Sequence, residues 1–254
     1  LQIGRVLLGA TISLPYAIDV SSDYLPWISL FVIVSFFTGL ILGKLLGIHH
    51  RIAFLLSSGA AICGGTAMAA VAPIIKAKPQ ELLIAMTIVF LLNAVAIILF
   101  PIIGEYLEMT NFEFGAWSAL AIHDTSSVIG SATIFSNESA QVAATLKLGR
   151  TVWLIPLLLI ANWIFNKQTE ATKLPRFIIF FILAIIANTV FNFNEQAINI
   201  FQLISKGFLL VGLFCIGSQF DTNELKTLSG KPLILALIIW AAVIPSAYFL
   251  VKYF

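Results

Sequence analysis

The chain has 254 residues, of which 60% are hydrophobic and 10% charged, with a formal net charge of +2. Together with a mean hydropathy of +1.02, this excludes an ordinary soluble domain and marks an integral membrane protein. The sequence holds neither a phosphate-binding loop nor a dinucleotide fingerprint, which argues against a pump driven by ATP.

A spanning helix needs about 20 mostly apolar residues. The candidates in chain order are 27–44, 82–103, 143–165, 176–193, 198–218 and 232–251. They predict an all-α, polytopic membrane protein, placed in the cell's inner (plasma) membrane. A short apolar stretch from Ile3 to Tyr16 precedes them, and with no initiator Met the N-terminus is expected to be trimmed. No cleavable signal peptide is visible there. Cys63 and Cys215 lie in apolar or Gly-rich settings and read as reduced packing residues.

Two stretches break this pattern. One is Ser57-Ser58-Gly59-Ala60-Ala61-Ile62-Cys63-Gly64-Gly65-Thr66, the other Ala121-Ile122-His123-Asp124-Thr125-Ser126-Ser127. Irregular or ionisable segments persist at membrane depth only when buried in protein or lining a wet cavity. Paired interruptions of this kind point to a transporter's binding site.

The stretches align at an offset of 60 residues, Ile62 lying over Ile122. A polar patch and an apolar helix follow each, so 52–103 and 114–165 read as a repeat within a first bundle, 1–165. A weaker similarity relates Gly4-Arg5-Val6-Leu7-Leu8-Gly9 to Gly207-Phe208-Leu209-Leu210-Val211-Gly212. It relates a second helical bundle, 174–254, to 1–44, with the boundary in the polar stretch 166–173. Internal repeats are a common plan for secondary transporters.

The basic residues set the orientation. If both interrupted stretches dip in and return, Lys44, Arg51, Lys76, Lys78 and Lys231 share the cytoplasmic side with most of the 14 basic residues. The 60-residue repeat is then inverted. Broken helices that cross fully fit the charges less well by two residues, Lys76 and Lys78.

Cys63-Gly64-Gly65-Thr66 combines backbone freedom with a hydroxyl, and a helix starting there would offer N–H groups and a positive dipole end to an anion. The alternative is a small-residue packing face. An ionised Asp124 needs a cation, a proton or a donor network at such depth, and His123 is an adjacent proton acceptor. Thr125, Ser126 and Ser127 supply hydroxyls for an ion or a substrate oxygen. Capping of a half-helix by Asp124 is the bland reading, and it is compatible with binding.

Lys147 and Arg150 sit three apart on one helix face. Either they snorkel to the interface or they face the second interruption, pairing Asp124 or attracting an anion. Asn93 and Asn162 read as interhelical hydrogen-bonding groups, and Lys206 as a snorkelling residue. His49-His50-Arg51 reads as a solvated basic turn, and Trp27 and Trp163 as interface anchors.

The run from Ile62 through Cys63-Gly64-Gly65-Thr66 to Pro73-Ile74-Ile75-Lys76-Ala77 resembles a signature of the YeiH-type membrane proteins, a family named for sulfate export. Gly115-Ala116-Trp117 with Ala121-Ile122-His123-Asp124-Thr125, and Leu146-Lys147-Leu148-Gly149-Arg150, resemble two further signatures. The likeness runs essentially the length of the chain. It implies a bundle of about ten helices with inverted repeats, distantly related to the bile-acid/sodium symporter superfamily. Members carry further spanning helices before the stretch matching Leu1, so this chain is expected to lack them. The resemblance also implies export or exchange of sulfate or a sulfonate.

The expected function is secondary transport of a small inorganic or organic anion by alternating access. Cys63, Gly64, Gly65, Thr66, Thr125, Ser126, Ser127, Lys147 and Arg150 are expected to bind substrate. His123 and Asp124 are expected to carry a coupling proton or sodium ion. No enzyme activity, metal, other cofactor or nucleic acid is expected. The bilayer is the expected partner, with a homodimer as an option. A passive anion channel is the alternative, and a structural subunit the weaker one.

Overall fold

The computed structural model describes residues 2–11, 13–165, 176–217 and 230–252. The expected bundle boundary at 166–173 falls outside them, as do the side chains of Arg5, Lys206 and Cys215.

The described residues form helices α1 (Gln2–Gly9), α2 (Leu14–Leu45), α3 (His50–Ala61), α4 (Gly65–Val71), α5 (Pro79–Tyr106) and α6 (Asn111–Ala121). Then follow α7 (Thr125–Phe135), α8 (Asn137–Val152), α9 (Leu154–Phe165), α10 (Arg176–Phe191), α11 (Glu195–Gly217) and α12 (Gly230–Lys252). Tyr24–Leu45, Pro79–Tyr106, Asn137–Phe165 and Gly230–Lys252 are long and apolar enough to cross a bilayer. The chain is an all-α, multi-pass membrane protein.

Local chemistry sets the helix ends. Pro79 opens α5, and the Glu81 carboxylate accepts the Lys78 N–H at 2.7 Å. Thr110 and Glu113 cap α6 reciprocally, Glu113 accepting from Thr110 N at 2.8 Å and Thr110 Oγ1 accepting from Glu113 N at 3.2 Å. The span expected at 143–165 begins earlier, at Asn137, because the Ser136 hydroxyl accepts the Ser139 N–H at 2.9 Å. That shift moves Lys147 and Arg150 deeper. At 1.5 Å per residue, Lys147 lies about 15 Å from the start of α8, close to mid-bilayer.

Both interrupted stretches are hairpins rather than crossings. His49, preceding α3, lies 3.1 Å from Glu81 at the start of α5, and Arg51 lies 3.8 Å from the same carboxylate. The chain therefore leaves the α3–α4 unit at the end where it came in. His49 and Arg51 are thus tied to a carboxylate rather than standing free in a basic turn.

The second unit repeats the plan from the opposite end. Asn111, opening α6, donates to Glu138 of α8 at 2.8 Å. Phe114 of α6 stacks on Phe135, the last residue of α7, with ring centroids 4.0 Å apart. Helix α5 runs between the two entrances, so the hairpins dip in from opposite ends and their tips point at each other.

Helices α2 and α12 brace the pair. Along α2, Gly39 and Gly43 let α3 come close. A Cβ on Gly43 would sit 2.6 Å from that of Ala53, and one on Gly39 would run into Ser57. From α12, Trp240 Nε1 donates to the Ala121 carbonyl at 3.2 Å, while Trp117 of α6 donates to Ile244 at 3.1 Å. At the outer end of α6, Lys252 meets Glu113 at 2.8 Å.

Candidate functional site

The hairpin tips touch. Gly64 has φ 61° and ψ −127°, a conformation open to glycine and strained for any L side chain. A Cβ there would lie 3.0 Å from Asp124 Cα and 3.1 Å from both its Cβ and its backbone N. Glycine is thus required twice over, for the bend and for the approach of the other tip.

Each tip ends a half-helix, and a buried half-helix end leaves carbonyls without partners. Two cations of α8 supply them. Arg150 Nε donates to the Ala61 carbonyl at 2.6 Å, and Nη2 donates to Ala60. Its Nη1 donates to Leu120 at 2.6 Å and Ala119 at 3.1 Å. Lys147 Nζ donates to Ile122 at 2.7 Å and Ala119 at 3.2 Å. A single guanidinium therefore ties the C-terminal ends of α3 and α6 together, where the helix dipoles also favour positive charge. The Phe31 ring lies 5.4 Å from its Cζ.

Both cations are fully buried, so neither snorkels. Neither forms an ion pair with Asp124. Four of the five guanidinium donors bind carbonyls, as do two of the three ammonium donors. The sequence left snorkelling and facing the second break as alternatives, and nothing in it marked backbone carbonyls as the partners of these donors.

Asp124 is turned toward its own helix. Oδ2 accepts the N–H groups of Ser126 at 2.9 Å and Ser127 at 3.3 Å, capping α7. The His123 N–H donates to Asn93 Oδ1 at 3.2 Å, so α5 holds the second break in place. Cys63 is buried and lies outside any disulfide. Gly65, Thr125, Ser126 and Ser127 are buried beside the junction, and Thr66 is half-buried.

Several buried polar atoms have no partner within the described protein: Ser57 Oγ, Asn93 Nδ2, Ser118 Oγ, His123 Nδ1, Thr125 Oγ1 and Ser131 Oγ. They belong to the hairpins and to α5 alongside. Ser57, Ser58, His123 and Thr125 were legible as polar breaks in greasy sequence. Ser118 and Ser131 were not, because one hydroxyl in an apolar helix can bond back to its own turn.

The family model for "Conserved hypothetical protein 698" matches residues 1–236. The chain belongs to this family. A UPF0324 membrane protein of Shewanella oneidensis is 40% identical over 247 residues, covering 97% of this chain and 78% of the relative. Another from Vibrio parahaemolyticus is 39% identical over 241 residues, covering 93% and 78%. A third, from Bacteroides thetaiotaomicron, is 37% identical over 251 residues, covering 96% and 74%. No solved structure matches.

Proposed function

We propose that the chain is a secondary transporter of a small anion, working by alternating access. One observation carries this reading. Two hairpins entering from opposite ends meet around two buried cations and one buried carboxylate. The formal charge at the junction is positive, so a small anion gains there what a cation loses. Opposite-entry hairpins also fit an inverted repeat, whose halves can exchange conformations to open each side in turn.

In this reading the anion sits beside the Gly64–Asp124 contact. The third Lys147 N–H, the free Asn93 amide hydrogens and the Ser118 and Thr125 hydroxyls are its donors. Gly65, Thr66, Ser126 and Ser127 offer backbone N–H groups once Asp124 swings away. Cys63 lines the first break. Arg150 holds the tips in register more than it grips cargo. Asp124, with His123 beside it, carries the coupling proton or sodium ion. A YeiH-type sulfate or sulfonate exporter in the inner membrane is the specific form of the proposal, with no enzymatic step.

Purified protein in proteoliposomes, loaded with labelled sulfate or organic sulfonates, tests it. We expect efflux that responds to a pH or sodium gradient and collapses in Asp124→Asn. Asn keeps the helix cap but removes the charge. Flux that tracks voltage alone would instead mean a passive channel. Unchanged coupled transport in the variant would remove Asp124 from the mechanism.

A further inference from the structure

An apolar groove lies on the outside of the bundle, walled by α2, α3 and α9. Val32, Leu40, Ile62, Trp153 and Ile160 are among its lining residues, all of them apolar. A second cavity continues it. The two share Leu40 and Phe54, and the second adds Lys44 and His50. Two basic side chains, Lys44 and His50, thus join an otherwise apolar lining at one end of the depression.

Among the described residues, no carboxylate pairs with Lys44, His50 or Lys231, whereas His49 and Arg51 are held by Glu81. The Lys231 ammonium stands beside Gly47, 3.8 Å from where its Cβ would be, and Gly47 directly precedes Ile48 of the second cavity's lining.

The length fits one lipid leaflet. From Val32 to Lys44, α2 rises about 18 Å, against a hydrocarbon half-thickness of about 15 Å. At its inner end the groove reaches Ile62, the residue that terminates α3 at the first break.

We propose that this depression binds an anionic phospholipid. One acyl chain lies in the groove, and the phosphate meets Lys44, His50 and Lys231. A greasy channel one leaflet deep, opening onto basic side chains that no described carboxylate pairs, matches a lipid's own division of apolar and charged parts. A second protein copy would match only the greasy half. The tail's far end touches Ile62, so lipid occupancy bears on the first hairpin tip.

Native mass spectrometry of the full chain, equilibrated with phosphatidylglycerol or phosphatidylcholine, tests this without any transport assay. We expect retained phosphatidylglycerol and little phosphatidylcholine. Lys44→Gln with Lys231→Gln should weaken retention about 25-fold, roughly fivefold per cation. Ile160→Trp should fill the groove and lower retention with the rim intact. Phosphatidylglycerol carrying a photoreactive group near its acyl terminus should label α2 and α9 residues of the groove. Equal retention of both lipids, labelling spread evenly over the outer faces, or a dimer that excludes lipid from the groove would each overturn the proposal.

Discussion

The first hairpin breaks at Gly64, where the backbone turns into a conformation strained for any L side chain; the second breaks at Asp124, where a carboxylate caps the returning helix. They present different things to each other. The glycine tip supplies space, and the aspartate tip supplies charge. Their C-terminal ends are treated alike, since Arg150 binds carbonyls of both. Pairing a tip without side chains with a charged one brings two backbones within van der Waals contact in a membrane interior without clash. The asymmetry also confines the junction's one carboxylate to one side.

The largest effect should come from cutting the shared tie. Arg150→Met leaves several buried carbonyls without donors and should cost about 3–5 kcal/mol. Lys at this position should not rescue it, because one ammonium cannot reach both helix ends as a planar fork does. Thermal unfolding in detergent measures the loss. Hydrogen exchange locates it, with amides near Ala61 and near Ile122 expected to deprotect together. Deprotection at one tip alone would break the claim that one residue serves both.

Gly64→Ala comes next. It combines a disfavoured φ with a Cβ against Asp124 and should cost about 2–4 kcal/mol. Gly65→Ala is the matched control. Its Cβ meets the far end of the Phe90 ring at 2.8 Å, and the helix gains propensity, so a change within about 1 kcal/mol is expected. Equal losses in the two variants would mean that Gly64 is mere packing.

Much of this contrast could be read before any coordinates. Gly64-Gly65 and His123-Asp124 stood out because hydrocarbon tolerates neither loose backbone nor bare charge. The hairpin topology was legible only as a preference, through the placing of Lys76 and Lys78; the contacts of His49 and Asn111 decide it. Lys147 and Arg150 were visible as basic residues within an apolar segment. Their role was not, because carbonyl groups are the same in every residue and leave no mark on the sequence. The Ser136 cap that starts α8 early, the Thr110–Glu113 cap of α6 and the close approach at Gly39 and Gly43 went unread, although each has a local signal in the chain.

Asp124 separates capping from chemistry. Asp124→Ala should destabilise by about 1 kcal/mol through loss of the cap, whereas Asp124→Asn should stay within a few tenths. Transport should fall in both. If transport survives in Asn and falls only in Ala, the charge is dispensable and the second tip is as passive as the first.

The smallest effect lies at the hairpin entrances, where each side is tied by a carboxylate. Glu81 holds His49 and Arg51 at one end, and Glu113 holds Lys252 at the other. The hydrogen bond from Lys252, aided by the Thr110 N–H, holds the Glu113 carboxyl below its usual range. A carboxylate whose folded value is depressed adds stability that is fully present above its unfolded value, near 4.3. That contribution fades as pH falls through the folded value. Glu113→Gln should therefore lower the melting temperature slightly at pH 7, and the gap to the parent should close as pH drops below about 4. The pair is exposed, so salt should shrink the gap as well. A deficit that persists unchanged at low pH would mean that the second hairpin is anchored by the neutral Thr110 cap and Asn111 rather than by charge.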